Sequence, residues 1–387
     1  MHYNKVPLWS FLQKKHKKIR LCLEKVAGNM KIFVINPGTT GMKAALYEDA
    51  TKLWSDSESY LQSDIDLFKE STEKEESFRF ANTIDILKKH GNNVFEISAV
   101  VARGGLLRPI PGGIWIITED MISDLKSSRY GKHASNFGGL IAKRISDEAG
   151  GLPAYIVDPV CVDEMSSIAH VSGIPDLPRS SVFHALNQKA VAYRVSRQIK
   201  KPLDQCRFIV AHMGGGVTVG AHCDGMVIDV NNGLGGYGPM SLDRAGTVHA
   251  GDLIKRCFSG KYTQKEMERM IVGEAGVKAH LGTNDFRVIL ERVLSGDEKA
   301  KLIVEALAYQ IASEIGSRAV NLYGKVDAVI LTGGLANSVY FCNLIKERVS
   351  WISEVISVPG EDELMALAER AYEVLLKEGK ARVYEKE

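Results

Sequence analysis

The sequence predicts an α/β protein in two related halves, each opening on a strand–turn–strand hairpin with a glycine-rich turn. Three observations lead there. From Met30 onward, short β-branched runs alternate with helical stretches, the mark of strands and helices layered on one another. Many of the 36 glycines sit in short clusters after apolar runs, as phosphate-cradling turns do and flexible linkers do not. Finally, Ile32–Tyr47 can be laid on Phe208–Cys223 without a gap. Both segments read as apolar strand, polar residue, Gly-rich turn and second strand, the polar residue being Asn36 in one and His212 in the other.

In chain order, the strand runs are 32–35, 97–102, 114–118, 154–157, 208–211, 226–230, 328–332 and 355–358. Helical patterns lie near 136–149, 184–200, 300–322 and 363–378. The second hairpin continues through Asp224-Gly225, a dipeptide that favours tight hairpin turns, into Met226–Val230. Segment 56–79, with Glu70, Glu73, Glu75 and Glu76, reads as a solvated acidic face.

A length of 387 residues suggests two domains, and 45% apolar with 25% charged residues is ordinary for a soluble globular chain. No stretch approaches the roughly 20 apolar residues that a membrane helix needs. The net charge of +2 is uneven. Residues 1–29 hold seven of the 49 Lys and Arg and one of the 47 acids, which leaves 42 against 46, or −4, for residues 30–387. A mildly acidic body disfavours nucleic acid as a partner. In the extension, Leu8–Leu12 is too short for a signal core, and the basic run follows it instead of preceding it. Residues 1–29 are therefore expected to be dispensable. The six cysteines are scattered with no C-x-x-C pair, which points to reduced thiols in a cytoplasmic protein rather than zinc or a disulfide framework.

No G-x-x-x-x-G-K-[ST] occurs, and Val219 stands where a dinucleotide fingerprint would need its third glycine. Five strand ends carry polar residues beside Gly or Pro: Asn36–Thr40, Arg103-Gly104-Gly105, Asp158-Pro159, His212–Gly216 and Thr332-Gly333-Gly334. Clefts of α/β folds form at such ends. Arg103 and Arg244 each abut glycine-containing sequence, and a guanidinium grips carboxylate or phosphate oxygens bidentately. His184 opens a helix, where the dipole favours an anionic ligand. Glu363 begins the last helix with Asp362 as N-cap. His133 and His249 read as ordinary polar residues.

From Met30 to about Arg382, the chain resembles the butyrate kinases, of the acetate-and-butyrate-kinase branch of the sugar kinase, heat-shock and actin ATPase superfamily. The matching stretches are Ile35–Gly38, Arg103–Ile110, His133–Asn136, Val157–Val160, Val162–Met165, Phe183–Lys189 and His212–Gly216. The C-terminal half adds Asp229–Asn232, Arg244–Thr247, Leu331–Ala336 and Pro359–Leu364. The resemblance implies two domains of the actin-like ATPase (ribonuclease H-like) type with the active site in the cleft between them. Residues 30–160 with 362–387 would form the N-terminal domain, closed by the last helix, and 161–361 the nucleotide-binding domain.

The implied reaction is reversible phosphoryl transfer between ATP and butyrate, giving butyryl phosphate and ADP, in a homodimer or larger homo-oligomer. Asn36, Arg103, Asp158, His184, His212 and Arg244 would surround the transferring group. Gly38, Thr39, Thr40, Lys43, Gly214–Gly216 and Thr332–Gly334 would hold the nucleotide, and Glu363 would serve Mg²⁺. A branched acid such as isobutyrate uses the same motifs. An acetate kinase fits the stretches around Arg103 and His184 less well. A nucleotide-binding regulator without catalysis is the rival of another class, and Gly41 and Met42 are the features that favour it. They stand where the family's first phosphate loop usually carries hydroxyl residues. The stretch Gly236–Asp243 also departs from the usual pattern and is expected to bear on acyl-chain preference.

Overall fold

A computed structural model describes residues 29–61, 63–65 and 71–386. Residues 1–28 of the basic extension, with Cys22, and Glu70 of the acidic segment lie outside the described residues.

The first half runs β1 (Lys31–Gly38), β2 (Gly41–Glu48), β3 (Thr51–Ser59), α1 (Thr72–Lys89), β4 (Ala99–Arg103), β5 (Ile114–Ile116), α2 (Glu119–Lys126), α3 (Asn136–Glu148) and β6 (Ala154–Val157). The second runs α4 (Ala185–Gln198), β7 (Arg207–Met213), β8 (Val217–Cys223), β9 (Met226–Val230), α5 (Glu298–Asn321), β10 (Ala328–Gly333), α6 (Val339–Val349) and β11 (Val355–Pro359). The chain closes with α7 (Glu363–Leu375) and β12 (Arg382–Val383). Short helices fill the stretch between β9 and α5. Among the described residues, no helix is long and apolar enough to cross a membrane.

The strands form two sheets, ordered β12-β5-β6-β4-β1-β2-β3 and β11-β10-β7-β8-β9. Strands β6-β4-β1-β2-β3 reproduce β11-β10-β7-β8-β9 one for one. In each set an antiparallel meander is extended by two parallel strands. The similarity read from Ile32 and Phe208 is thus a repeat of topology. The gapless overlay holds along the first strand and slips by one residue at the turn. Gly38 faces Gly41 across Thr39-Thr40, whereas Met213 faces Val217 across Gly214-Gly215-Gly216. Consequently Asn36 lies opposite Lys43, and His212 opposite Thr218 rather than Val219.

Strand periodicity sends alternate residues to opposite faces. Phe33, Ile35, Met42, Ala44 and Leu46 pack with residues of α1 and α3, while Ile32, Val34, Ala45 and Tyr47 pack with Leu367, Ala368 and Ala371 of α7. In the second sheet, Ile209, Ala211, Val217 and Val219 meet α5, and Phe208 and Val210 meet Val191 and Val195 of α4. Helices α4 and α7 touch each other, and Leu186 of α4 reaches the core shared by the first sheet and α7.

Segment 56–79 departs from its expected character. Glu75 is buried on α1, where it accepts a hydrogen bond from buried Arg79 at 2.9 Å. The i,i+4 spacing brings the two together, and a buried carboxylate needs such a partner. β3, an edge strand of Thr, Lys, Ser, Asp and Glu, is mostly exposed, so no apolar run announces it.

Candidate active site

Alternation along β1 puts Asn36 on the face that carries Ile32 and Val34, and along β4 it puts Arg103 with Ala99 and Val101. That face is covered by α7, whose buried stripe Glu363, Ala366, Leu367, Ala371 has helical spacing. Glu363, the first residue of that stripe, accepts a hydrogen bond at Oε2 from Asn36 Nδ2 at 2.6 Å, and Arg103 Nη1 lies 3.4 Å from the same oxygen. Asp362 caps the helix as expected, accepting from Met365 N–H at 3.3 Å. Asn36 and Arg103 therefore share the carboxylate of a residue 327 and 260 positions further along the chain.

The second half repeats the pattern with different chemistry. His212 continues the Phe208, Val210 face, and Thr332 continues Ala328 and Ile330 on neighbouring β10. Helix α4 begins after His184. Its buried stripe starts with Asn187 and Gln188 and continues with Val191, Ala192 and Val195. The rings of His184 and His212 stack at 3.8 Å with an 11° interplanar angle. His212 Nδ1 donates to Asn187 Oδ1 at 2.8 Å, and Asn187 Nδ2 donates to Gly360 O at 3.4 Å. His212 Nε2 is 3.0 Å from Glu361 Oε1, outside hydrogen-bond geometry. Glu361 is held below the usual carboxylate range, chiefly by His212, with Arg103 and Lys43 adding to the effect.

Arg244 arrives from the loop after β9. Its Nη1 donates to Gly233 O, its Nε is buried without a hydrogen bond 3.7 Å from Asp243 Oδ1, and a Cβ on Gly216 would come 2.2 Å from Nη1. Gly216 is therefore what admits the guanidinium beside the second turn. Burial lowers the pKa of Arg244. Burial also pushes His184 well below its ordinary value, and His212, Arg103 and Arg244 deepen the shift. His184 is thus neutral at physiological pH. The same two arginines, after burial, lower His133.

The turns are anchored differently. Arg79 Nη1 donates to Gly38 O at 2.9 Å and Tyr60 N–H to Thr40 O at 2.9 Å, so the Thr39-Thr40 turn is held by its carbonyls. Lys43 is exposed beside it. Gly215 O accepts from Ser241 Oγ. Gly333, at φ +87°, packs where a Cβ would meet Met213 O at 2.5 Å. Thr332 donates its hydroxyl to Gly360 O at 3.3 Å, and Gly334 faces open space.

Asp158 directly follows Val157, the residue paired with Arg103 between β4 and β6. Its Oδ1 accepts from Gly113 N–H at 2.6 Å, and burial raises its pKa against the pull of Lys189 and Arg370. With Tyr193, Glu369 and Arg370 it lines a small cleft between α4 and α7. Among the described residues, no hydrogen bond or ion pair joins it to Asn36, Arg103 or Glu363. A second small cleft lies beside Arg244 and is walled in part by Val217, Tyr237 and Pro239.

Sequence reasoning did not single out Glu361, Asn187 or the Gln188–Thr218 pair, and it read His133 as an ordinary polar residue. His133, Asn187 and Gln188 stood inside quoted stretches, but only the fold shows what each one faces. Gly41 and Met42 have structural explanations. A Cβ at Gly41 would strike Glu58 O at 2.3 Å, and Met42 is a core residue at 2% exposure.

The profile of the acetokinase family matches residues 177–383. The chain belongs to that family, carboxylate kinases that form acyl phosphates with ATP. Its fold is shared with Porphyromonas gingivalis acetate kinase at a TM-score of 0.71 and 20% identity, over 90% of this chain and 100% of that one. A propionate kinase from Francisella tularensis gives 0.70 and 19%, over 88% and 98%. Entamoeba histolytica acetate kinase gives 0.71 and 15%, over 90% and 100%.

Proposed function

We propose that this chain is a butyrate kinase that transfers the γ-phosphoryl group of ATP directly and reversibly to butyrate. The observation that supports the reading is that Arg103, from the first half, and Arg244, from the second, both bear electrostatically on His184, which stacks on His212. A carboxylate is already ionised at neutral pH, so the site needs no general base. Its task is to bring an anion onto a polyanion, which calls for fixed positive charge and oriented donors around the transferring group. Arg103 and Arg244 would supply the charge, and His184, with His212 stacked on it, an oriented donor. The turns 38–40 and 214–216, with Lys43 and Gly333-Gly334, would cradle the nucleotide.

Glu363 retains Oε1, to which no hydrogen bond is made among the described residues. No group of three or more metal-ligating side chains occurs among them either. Mg²⁺ keeps water and phosphate ligands and asks for only one or two carboxylates, so this donor set fits it. When bound, Mg²⁺ would neutralise phosphate charge, with Glu363 as its protein ligand. Asp158, one residue beyond the strand partner of Arg103, would help to order the groups near the transferring phosphoryl. The apolar wall of Val217, Tyr237 and Pro239 beside Arg244 would take the alkyl chain.

Residues 30–160 with 362–387, and 161–361, would close on each other to exclude water. The packing of Gly41 against Glu58 and of Met42 in the core gives both departures a structural role and weighs against a non-catalytic regulator. The test is hydroxylamine trapping of acyl phosphate from ATP and Mg²⁺ with acetate, propionate, butyrate, isobutyrate and valerate. A maximum at butyrate is expected. A maximum at isobutyrate or a shorter acid would reassign the substrate, and no product with measurable ATP binding would overturn the kinase reading.

A further inference from the structure

Behind His184 runs a chain of buried polar side chains that transfer chemistry does not require. On β8, Thr218, Gly220 and His222 share the face turned to α4. Gln188 lies over them: its Nε2 is 3.0 Å from Thr218 O and 2.9 Å from Thr218 Oγ1, and its Oε1 is 3.0 Å from His222 Nε2. Thr218 Oγ1 is 2.9 Å from His184 Nδ1. Gln188 and Thr218 are fully buried and His222 is 2% exposed. A Cβ at position 220 would stand 2.5 Å from Gln188 Oε1, so glycine there makes the room.

The proton positions follow from which groups can only accept. A backbone carbonyl cannot donate, so the Gln188 atom facing Thr218 O is the amino group, and the amide has one orientation. Its Oε1 then accepts from His222 Nε2–H. Thr218 Oγ1 receives a hydrogen from Gln188 and has only one further partner among the described residues, His184 Nδ1. Were Oγ1 to accept from His184 as well, its own hydrogen would be buried without an acceptor, at a cost of about 1–3 kcal/mol. The hydroxyl therefore donates to Nδ1.

We propose that His222, Gln188 and Thr218 are positioning residues that lock His184 as the Nε2–H tautomer, a fixed neutral hydrogen-bond donor toward the transferring group. His212 is set the opposite way. Asn187, oriented by Gly360 O, takes the Nδ1 hydrogen and leaves Nε2 facing Glu361. The stacked rings thus divide the work: His184 donates at all times, and His212 gains a donor at Nε2 only with a second proton. The groups that bear electrostatically on His184 are His212, Arg103 and Arg244, all of which disfavour a charge on it.

The inference rests on the kinase reading only for what the donor is used for, and its test has a readout independent of activity. Selective ¹⁵N-histidine spectra of the full chain, with His184 assigned by the signal lost in His184→Gln, should show a neutral Nε2–H ring at pH 7. Thr218→Val should admit the Nδ1–H form and lower kcat about 10- to 100-fold with KM for ATP within about threefold. Thr218→Ser should restore both. An imidazolium or Nδ1–H ring in the wild-type spectrum overturns the proposal even if no variant folds, as does a Thr218→Val enzyme with wild-type kcat. Wild-type protein lacking turnover but showing the Nε2–H ring would sink the kinase reading and leave the relay standing.

Discussion

The two hairpins share strand order and pairing, yet they are built for opposite electrostatics. At equivalent places on the two sheets, the first half has Asn36, Arg103 and the opposed Lys43, and the second has His212, Thr332 and the opposed Thr218. The first set surrounds a carboxylate, Glu363, and leaves Lys43 in solvent. The second is buried, uncharged at Thr218 and Thr332, and tied up by side-chain hydrogen bonds. At these equivalent places the first half carries charge and the second neutral hydrogen-bonding groups, to which Arg244 adds its charge from the loop after β9. The division has a physical basis. Charge is cheap to keep where water reaches it, while a neutral donor can be buried once its partners are satisfied.

The most forceful way to break the contrast is to remove charge from each side. Arg103→Ala or Arg244→Ala should each cut kcat by at least about 10²-fold in steady-state assays, with far-ultraviolet circular dichroism unchanged. Near-normal turnover in either variant would take that residue out of the charged cluster. Gly216→Ala is a finer probe. The new Cβ meets only the far end of the Arg244 side chain, so the guanidinium should move while the fold stays. A drop in kcat of about tenfold or more, without loss of melting temperature, is expected; a large loss of both would mean that the second turn itself had broken.

Gly41→Ser tests the other hairpin. Adding back a hydroxyl residue should not improve turnover, because its Cβ would press on backbone at Glu58. Destabilisation of about 1–3 kcal/mol, read by urea unfolding, is the expected result, and a faster, equally stable enzyme would restore weight to the hydroxyls. The smallest effect concerns pH. Burial lowers the pKa of His222 from 6.5 to about 3. Between those values the unfolded chain binds the proton that the folded one refuses, so stability falls as pH is lowered through that window and is regained above 6.5. His222→Gln should flatten this loss by up to about 1.4 kcal/mol per pH unit, measured as the difference in unfolding free energy between pH 7 and pH 5. An unchanged slope would mean that other buried groups, His184 among them, carry the dependence.

Much of this was legible in the chain. Asn36 and His212 end apolar runs of period two, so their place at strand ends and their common face followed from sequence. Asp224-Gly225, both at positive φ in the structure, and Asp362 as a helix cap are local chemistry and read as such. The second-strand register was not legible, because Gly214-Gly215-Gly216 has no side chain to fix how many residues the turn consumes. Glu75 looked like its acidic neighbours until Arg79 was seen to be buried beside it. Asp158 was legible as a strand end, but its partner Gly113 and its place one residue beyond the pair of Arg103 are set by the sheet.

By itself the sequence determined the alternation of strands and helices, the doubled hairpin and the residue types able to bind phosphate. These depend on periodicity and on backbone conformations that a few adjacent residues dictate. Only the tertiary structure decided which carboxylate Asn36 and Arg103 share, which arginine fills the space left by Gly216, and which nitrogen of each histidine holds its proton. Those outcomes are set by hydrogen-bond partners tens to hundreds of residues away, brought within 3 Å by the stacking of two helices between two sheets, and no local pattern encodes them.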